Sequence, residues 1–190
     1  LHATADFTVL RAALVGASTA VWLLGPSETH ERQQRALRLI VDWYNRKRQN
    51  GEAHRLIVAE ADRATLESQI AHSLKRRNQA RALWAPTQHL TAAEKTNDTT
   101  RIGWAADFTF PNSKQLQGAV RYQWSALSGD AHALGWQLLG RRTGPLTRDP
   151  SGLHAGIAQA SIDHLAEPYL ASFRLLRRGW SLFDQRCTAQ

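Results

Sequence analysis

Residues 101–142 read RIGWAADFTFPNSKQLQGAVRYQWSALSGDAHALGWQLLGRR, and the fold class turns on how that stretch is divided. Ile102, Trp104, Ala106, Phe108 and Phe110 alternate with Gly103, Ala105, Asp107 and Thr109. A period of two puts successive side chains on opposite faces of a half-buried strand. Pro111-Asn112-Ser113 breaks the run, and Ala119–Leu127 resumes it, with Val120, Tyr122 and Trp124 facing one way and Arg121, Gln123 and Ser125 the other. Ser128-Gly129-Asp130 supplies a turn. A third strand, Ala133–Leu139, is marked by Leu134, Trp136 and Leu138. The expectation is a small antiparallel sheet of about three strands, which needs a cover over its apolar face.

The cover is sought upstream, in Ser27–Trp84. Leu37, Ile40, Val41 and Tyr44 recur at helical spacing, with Ala36, Leu39 and Trp43 widening the same face. Ser27 is a suitable N-cap, Glu28 and Glu31 complement the positive end of the helix, and Asn50-Gly51 offers a stop. Beyond it, Leu56-Ile57-Val58 reads either as a short strand or as part of a helix over Glu52–Trp84. Helix is favoured by the Ala, Glu, Gln and Arg content, with Leu66, Ile70 and Leu74 as the core stripe. Thr87–Thr100 is polar and aperiodic, a loop. Downstream, Asp149-Pro150 is read as a helix start, with Leu153, Ile157 and Ala160 facing inward. Past Pro168, which kinks or restarts the helix, Tyr169, Phe173, Leu176 and Trp180 form its stripe. The expected fold is therefore α+β: long N-terminal amphipathic helices (27–84) on a small antiparallel sheet (101–142), with a C-terminal helix (150–184). Residues 26–190 form the single domain.

Residues 1–25 stand apart. Phe7–Leu24 is the most apolar stretch, interrupted by Arg11, and Gly25-Pro26 ends it. It reads as a buried helix with Ala13, Gly16 and Ala17 as a close-packing face, or as the trailing part of a membrane anchor. A chain that begins at Leu1 and holds no Met is expected to be a processed or trimmed form.

Composition narrows the function classes. Apolar residues make up 43% of the 190 and charged residues 21%, which allows a core and argues against wholesale disorder. A net charge of +8 favours acidic partners: nucleic acid, anionic lipid or an acidic protein face. Lys75, Arg76, Arg77 and Arg81 form one acid-free cluster, and Arg174, Arg177 and Arg178 a second; these are the candidate anion- or nucleic-acid-binding residues. Seven tryptophans interleave with the basic residues only faintly, so core packing is the preferred role for them.

Phosphate loops, dinucleotide fingerprints, nucleophile elbows and zinc-protease helices are absent from the sequence. One cysteine, Cys187, excludes an internal disulfide and a Cys-based zinc site. His154 and His164 are ten residues apart, too far along one helix to share a metal. Asp163, His164 and Glu167 are the only acid–imidazole cluster, and Asp130 and His132 flank a turn as solvated groups. No catalytic residue, metal ligand or cofactor is assigned.

The order of elements resembles, in architecture, the bitopic scaffold proteins of bacterial type IV secretion and type IV pilus machines. Those have a short anchor, a helical stalk and a compact α+β domain. The resemblance implies a non-enzymatic assembly subunit of a membrane-associated complex, with other protein subunits or further copies of itself as partners. The alternative is a basic nucleic-acid-binding protein.

Overall fold

The computed structural model describes residues 3–84, 97–132, 140–148, 150–152, 154–158 and 161–188. Among the described residues the expected three-stranded sheet over 101–142 is not there. The fold is all-helical, with α1 (Ala3–Leu24), α2 (Thr29–His54), α3 (Arg63–Trp84), α4 (Asp98–Thr109), α5 (Lys114–Ala131) and α6 (Ile162–Thr188). The one stretch of paired extended backbone among the described residues is a hairpin of β1 (Arg142–Arg148) and β2 (His154–Ala158). Its second strand lies where the start of the C-terminal helix was expected. Its strands are antiparallel, with Arg142 opposite Ala158 and Arg148 opposite His154, and the register shifts between Thr143 and Thr147. Gly152, at φ 86°, takes the left-handed conformation in the turn.

Two of the three expected strands are helices for a local reason. Asn97 caps α4, its side-chain oxygen accepting from the Thr100 N–H at 2.8 Å. Ser113 caps α5 by accepting from the Leu116 N–H at 3.2 Å. Each cap satisfies a donor that the first helical turn leaves unpaired. The apparent alternation at 102–110 is also weak evidence for a strand, because the intervening residues are Gly and Ala as well as Asp and Thr. The structure buries Ile102, Ala105 and Ala106, at i, i+3 and i+4. Trp104 and Phe108, also i and i+4, stack at 4.9 Å. The third expected strand, 133–139, and the residues Leu153 and Ala160 lie outside the described residues.

The chain divides into two compact units, Leu1–Gly25 with Thr96–Gln190, and Pro26–Lys95. In the first, α1 packs against α4, α5 and α6. Phe7, Leu14 and Val21 of α1 meet Ile102 of α4, Leu127 of α5, and Leu175 and Leu182 of α6 in the core. Helix α1 runs parallel to α6: Asp6, Val9 and Leu10 line one groove with Ile162, Leu165 and Tyr169, while the Leu24 carbonyl accepts from Arg186 Nε at the other end. Close approach along this pair is set by Gly179. A Cβ placed there would lie 3.2 Å from Ala20 Cβ. The expected close-packing face Ala13–Gly16–Ala17 is only partly used, since Ala17 is buried whereas Ala13 and Gly16 are exposed. Ala5–Leu24 is also long and apolar enough to cross a membrane.

The second unit is a helical hairpin. Helix α2 does not stop at Asn50-Gly51 but continues to His54, and a turn with exposed Leu56 and Ile57 leads into a 3₁₀ turn at Glu60–Asp62 and then α3. Gly51 lies within the helix with its bare face against α3, where a Cβ would meet Ile70 Cγ1 at 2.7 Å. On α3 the buried seam is Leu66, Ile70, Ser73 and Ala80, with half-buried Arg77 between the last two. Leu74, expected on that seam, is 39% exposed. Ser27 is not the cap of α2. Glu28 holds that position without a side-chain cap bond, and Arg32 instead donates to the Pro26 and Ser27 carbonyls.

Candidate functional site

Helix α6 carries two adjacent rows, each at i, i+4, i+7, i+11 and i+14. Pro168, Ser172, Leu175, Gly179 and Leu182 form the buried row, against the rest of the first unit. Tyr169, Phe173, Leu176, Trp180 and Phe183 form the other, and all five are exposed, from 42% at Phe173 to 65% at Trp180. The stripe expected to be core is therefore the open face. The small and polar residues of the neighbouring row permit close contact with α1, and that contact decides which row turns inward. Pro168 does not end the helix, which continues through it; the carbonyl of Pro168 accepts from the Ser172 hydroxyl at 2.8 Å.

Tyr169 and Phe173 stack with ring centroids 6.1 Å apart, and Trp180 and Phe183 lie 5.8 Å apart. Ile162, 75% exposed, extends the row toward the start of the helix, where Val9 of α1 joins it across the groove. From Ile162 to Phe183 the row is about 30 Å long at the helical rise per residue. On its flank, the Arg177 guanidinium sits 5.8 Å from the Phe173 ring centroid. Arg174 lies one turn away, whereas Arg178 is turned to Phe108 of α4, 5.2 Å from its centroid. Between Pro168 and Phe183 there is no acidic residue.

Helix α2 repeats the pattern. Tyr44 and Gly51 face α3, with Tyr44 6.4 Å from His72. The adjacent row leaves Ile40 41% and Trp43 57% exposed, and Lys47 lies over the Trp43 ring at 5.5 Å. Trp43 and Trp180 thus depart from the core role expected of the tryptophans, whereas Trp22 is buried.

The first basic cluster does not converge. Lys75, Arg76, Arg77 and Arg81 are distributed around the end of α3. Arg76 donates to Gln79, and Arg77 to Asn78 and across to Asn45 of α2. Elsewhere on the hairpin, Arg55 of the interhelical turn donates twice to Glu67, at 2.6 and 2.5 Å. Those bonds hold the Glu67 carboxyl below its ordinary range and raise Arg55. Burial pushes Arg35 down, against the pull of Glu31.

The acid–imidazole cluster dissolves into structural roles. His164 Nδ1 accepts from the Ser161 N–H at 3.2 Å, and the Ser161 hydroxyl accepts from the His164 N–H, a reciprocal cap at the start of α6. Glu167 accepts from Gln123 at 2.7 Å and Asp163 stays exposed. Asp130 is not a solvated turn residue but a buried one, paired with Arg141. Among the described residues no three metal-ligating side chains gather. Cys187 is exposed. No protein-family model, curated protein or solved structure matches the chain.

Proposed function

We propose that this chain is a non-enzymatic assembly subunit of a larger, membrane-associated complex. The observation that supports it is the half-used apolar face of its two long amphipathic helices, α2 and α6. A double-width apolar face of which one row stays in water is the mark of a surface that another molecule covers. The α2 face fits a further helix. Ile40 and Trp43 lie beside the α2–α3 seam, so an added helix would complete a bundle around a hairpin whose own buried residues are few.

Among the described residues there is no α+β domain of the kind on which the secretion- and pilus-machine resemblance depended, so the reading rests on the helical faces alone.

In mild-detergent extracts of the cells that make it, the chain should migrate well above its 21.3 kDa. Ile40→Ser with Trp43→Ser should return it to the monomer position without changing its circular dichroism. A wild-type chain running as a monomer overturns the reading.

A further inference from the structure

We propose that the open row of α6 docks on an anionic bilayer surface, with the helix lying in the plane of the headgroups. The inference rests on the membrane-associated reading above and names the partner of this face.

The composition of the row suits an interface better than a dry pocket. Tyr169 and Trp180 present an apolar body with a polar tip, the residue types that settle at the boundary between headgroups and acyl chains. Phe173, Leu176 and Phe183 supply the purely apolar surface between and beyond them. The row is a straight line of side chains along one helix, flanked by open grooves rather than set in a closed cavity. Such a line matches the geometry of an in-plane amphipathic helix, whose apolar face enters the headgroup boundary along its length.

Charge selects the kind of surface. Arg174 and Arg177 are exposed, and neither forms an ion pair among the described residues. No carboxylate lies in the sixteen residues that carry them. Their positive charge stands at the level where an anionic lipid presents its phosphate and carboxylate oxygens, and their long stems allow the guanidinium to reach up from the apolar boundary. The same arginines sit at the middle of the helix, which opposes a transverse placement, because a cation at the bilayer centre is strongly disfavoured. They oppose a second copy too. A two-fold contact centred on the arginines would bring Arg174 and Arg177 of one chain against those of the other.

The experiment is flotation of the purified full chain with vesicles of phosphatidylcholine alone and of phosphatidylcholine mixed with phosphatidylserine. The chain should float with the mixed vesicles and release as salt is raised. Phe173→Ser with Trp180→Ser should abolish flotation. Arg174→Gln with Arg177→Gln should weaken it by roughly 25-fold, about fivefold for each cation removed. All four side chains are exposed, so circular dichroism and the urea midpoint should match wild type in both variants. Absence of flotation with mixed vesicles overturns the proposal, as does flotation that the aromatic variant retains. A dimer in gel filtration that the aromatic variant dissolves, without flotation, assigns the row to a second copy and overturns it as well. Loss of the large complex in the Ile40/Trp43 variant with vesicle binding intact separates the two faces. A large complex that persists in wild type without vesicle binding sinks this inference and leaves the assembly reading standing.

Discussion

Asp130 sits at the end of α5 with its side chain 1% exposed, its two oxygens accepting from Arg141 at 2.5 and 2.6 Å. The Arg141 guanidinium in turn lies 3.7 Å from the centroid of the buried Phe7 ring. Removing one partner of a pair in such a place leaves the other charge without compensation. Asp130→Ala should therefore lower stability by about 3–5 kcal/mol in urea denaturation, and Asp130→Leu combined with Arg141→Met by much less. A loss under about 1 kcal/mol for the single variant would mean that Arg141 finds water in its place. In the sequence, Asp130 follows Ser128-Gly129 and looks like a turn residue. Nothing local shows that Phe7, more than a hundred positions earlier, comes to lie under its partner.

For single elements the seam between α2 and α3 is the informative case. A methyl at Gly51 would meet Ile70 Cγ1 at 2.7 Å, inside van der Waals contact. Gly51→Ala gains helix propensity, worth about 1 kcal/mol, but the clash should turn that gain into a net loss of about 1–3 kcal/mol. Adding Ile70→Ala makes room. The double variant should be more stable than the sum of the two single losses predicts, by at least 0.5 kcal/mol or so in a double-mutant cycle. Additive losses would mean that α3 does not pack there.

The same hairpin carries a pH dependence with a definite sign. The Glu67 carboxyl is held low, first by its hydrogen bonds from Arg55, so the pair adds stability above the ordinary carboxylate pKa. That stability is lost as pH falls through the lowered value in the folded state. Both side chains are well exposed, so the effect should be small and screened by salt. Glu67→Gln should flatten the acid limb of the hairpin's stability against pH, and an unchanged limb would assign it to other carboxylates.

Across the whole molecule, the two units differ in what they bury. The first has a contiguous core drawn from four helices, whereas among the described residues of the second the buried ones are Pro26, Gln34, Leu66, Ile70, Ser73 and Ala80. Two of those six are polar, so opening the hairpin exposes little apolar surface. Native-state hydrogen exchange should show the amides of α2 and α3 exchanging at lower opening free energy than those of α1 and the buried side of α6. Equal protection across both units would show that they open as one.

Local signals in the chain were enough to place α1, most of α2, the body of α3 and α6 beyond Pro168, because long helices with strong periodicity and good propensity declare themselves. The caps at Asn97 and Ser113 were also present in the sequence, but the short alternation after Asn97 competed with them. An alternation filled with Gly and Ala does not distinguish a strand from a helix whose core contact is Ala105. The basic clusters, the single cysteine and the lack of a catalytic signature were legible from composition. What periodicity could not decide was which of two adjacent rows faces inward. On α6 both rows have identical spacing, and the larger, more hydrophobic one was the natural choice for the core. The tertiary structure chose the other, because Gly179 and Ser172 let α1 approach closely where Phe173 and Trp180 would hold it away. Packing distance between neighbouring helices decided that outcome, and with it the surface that the protein offers to its partners.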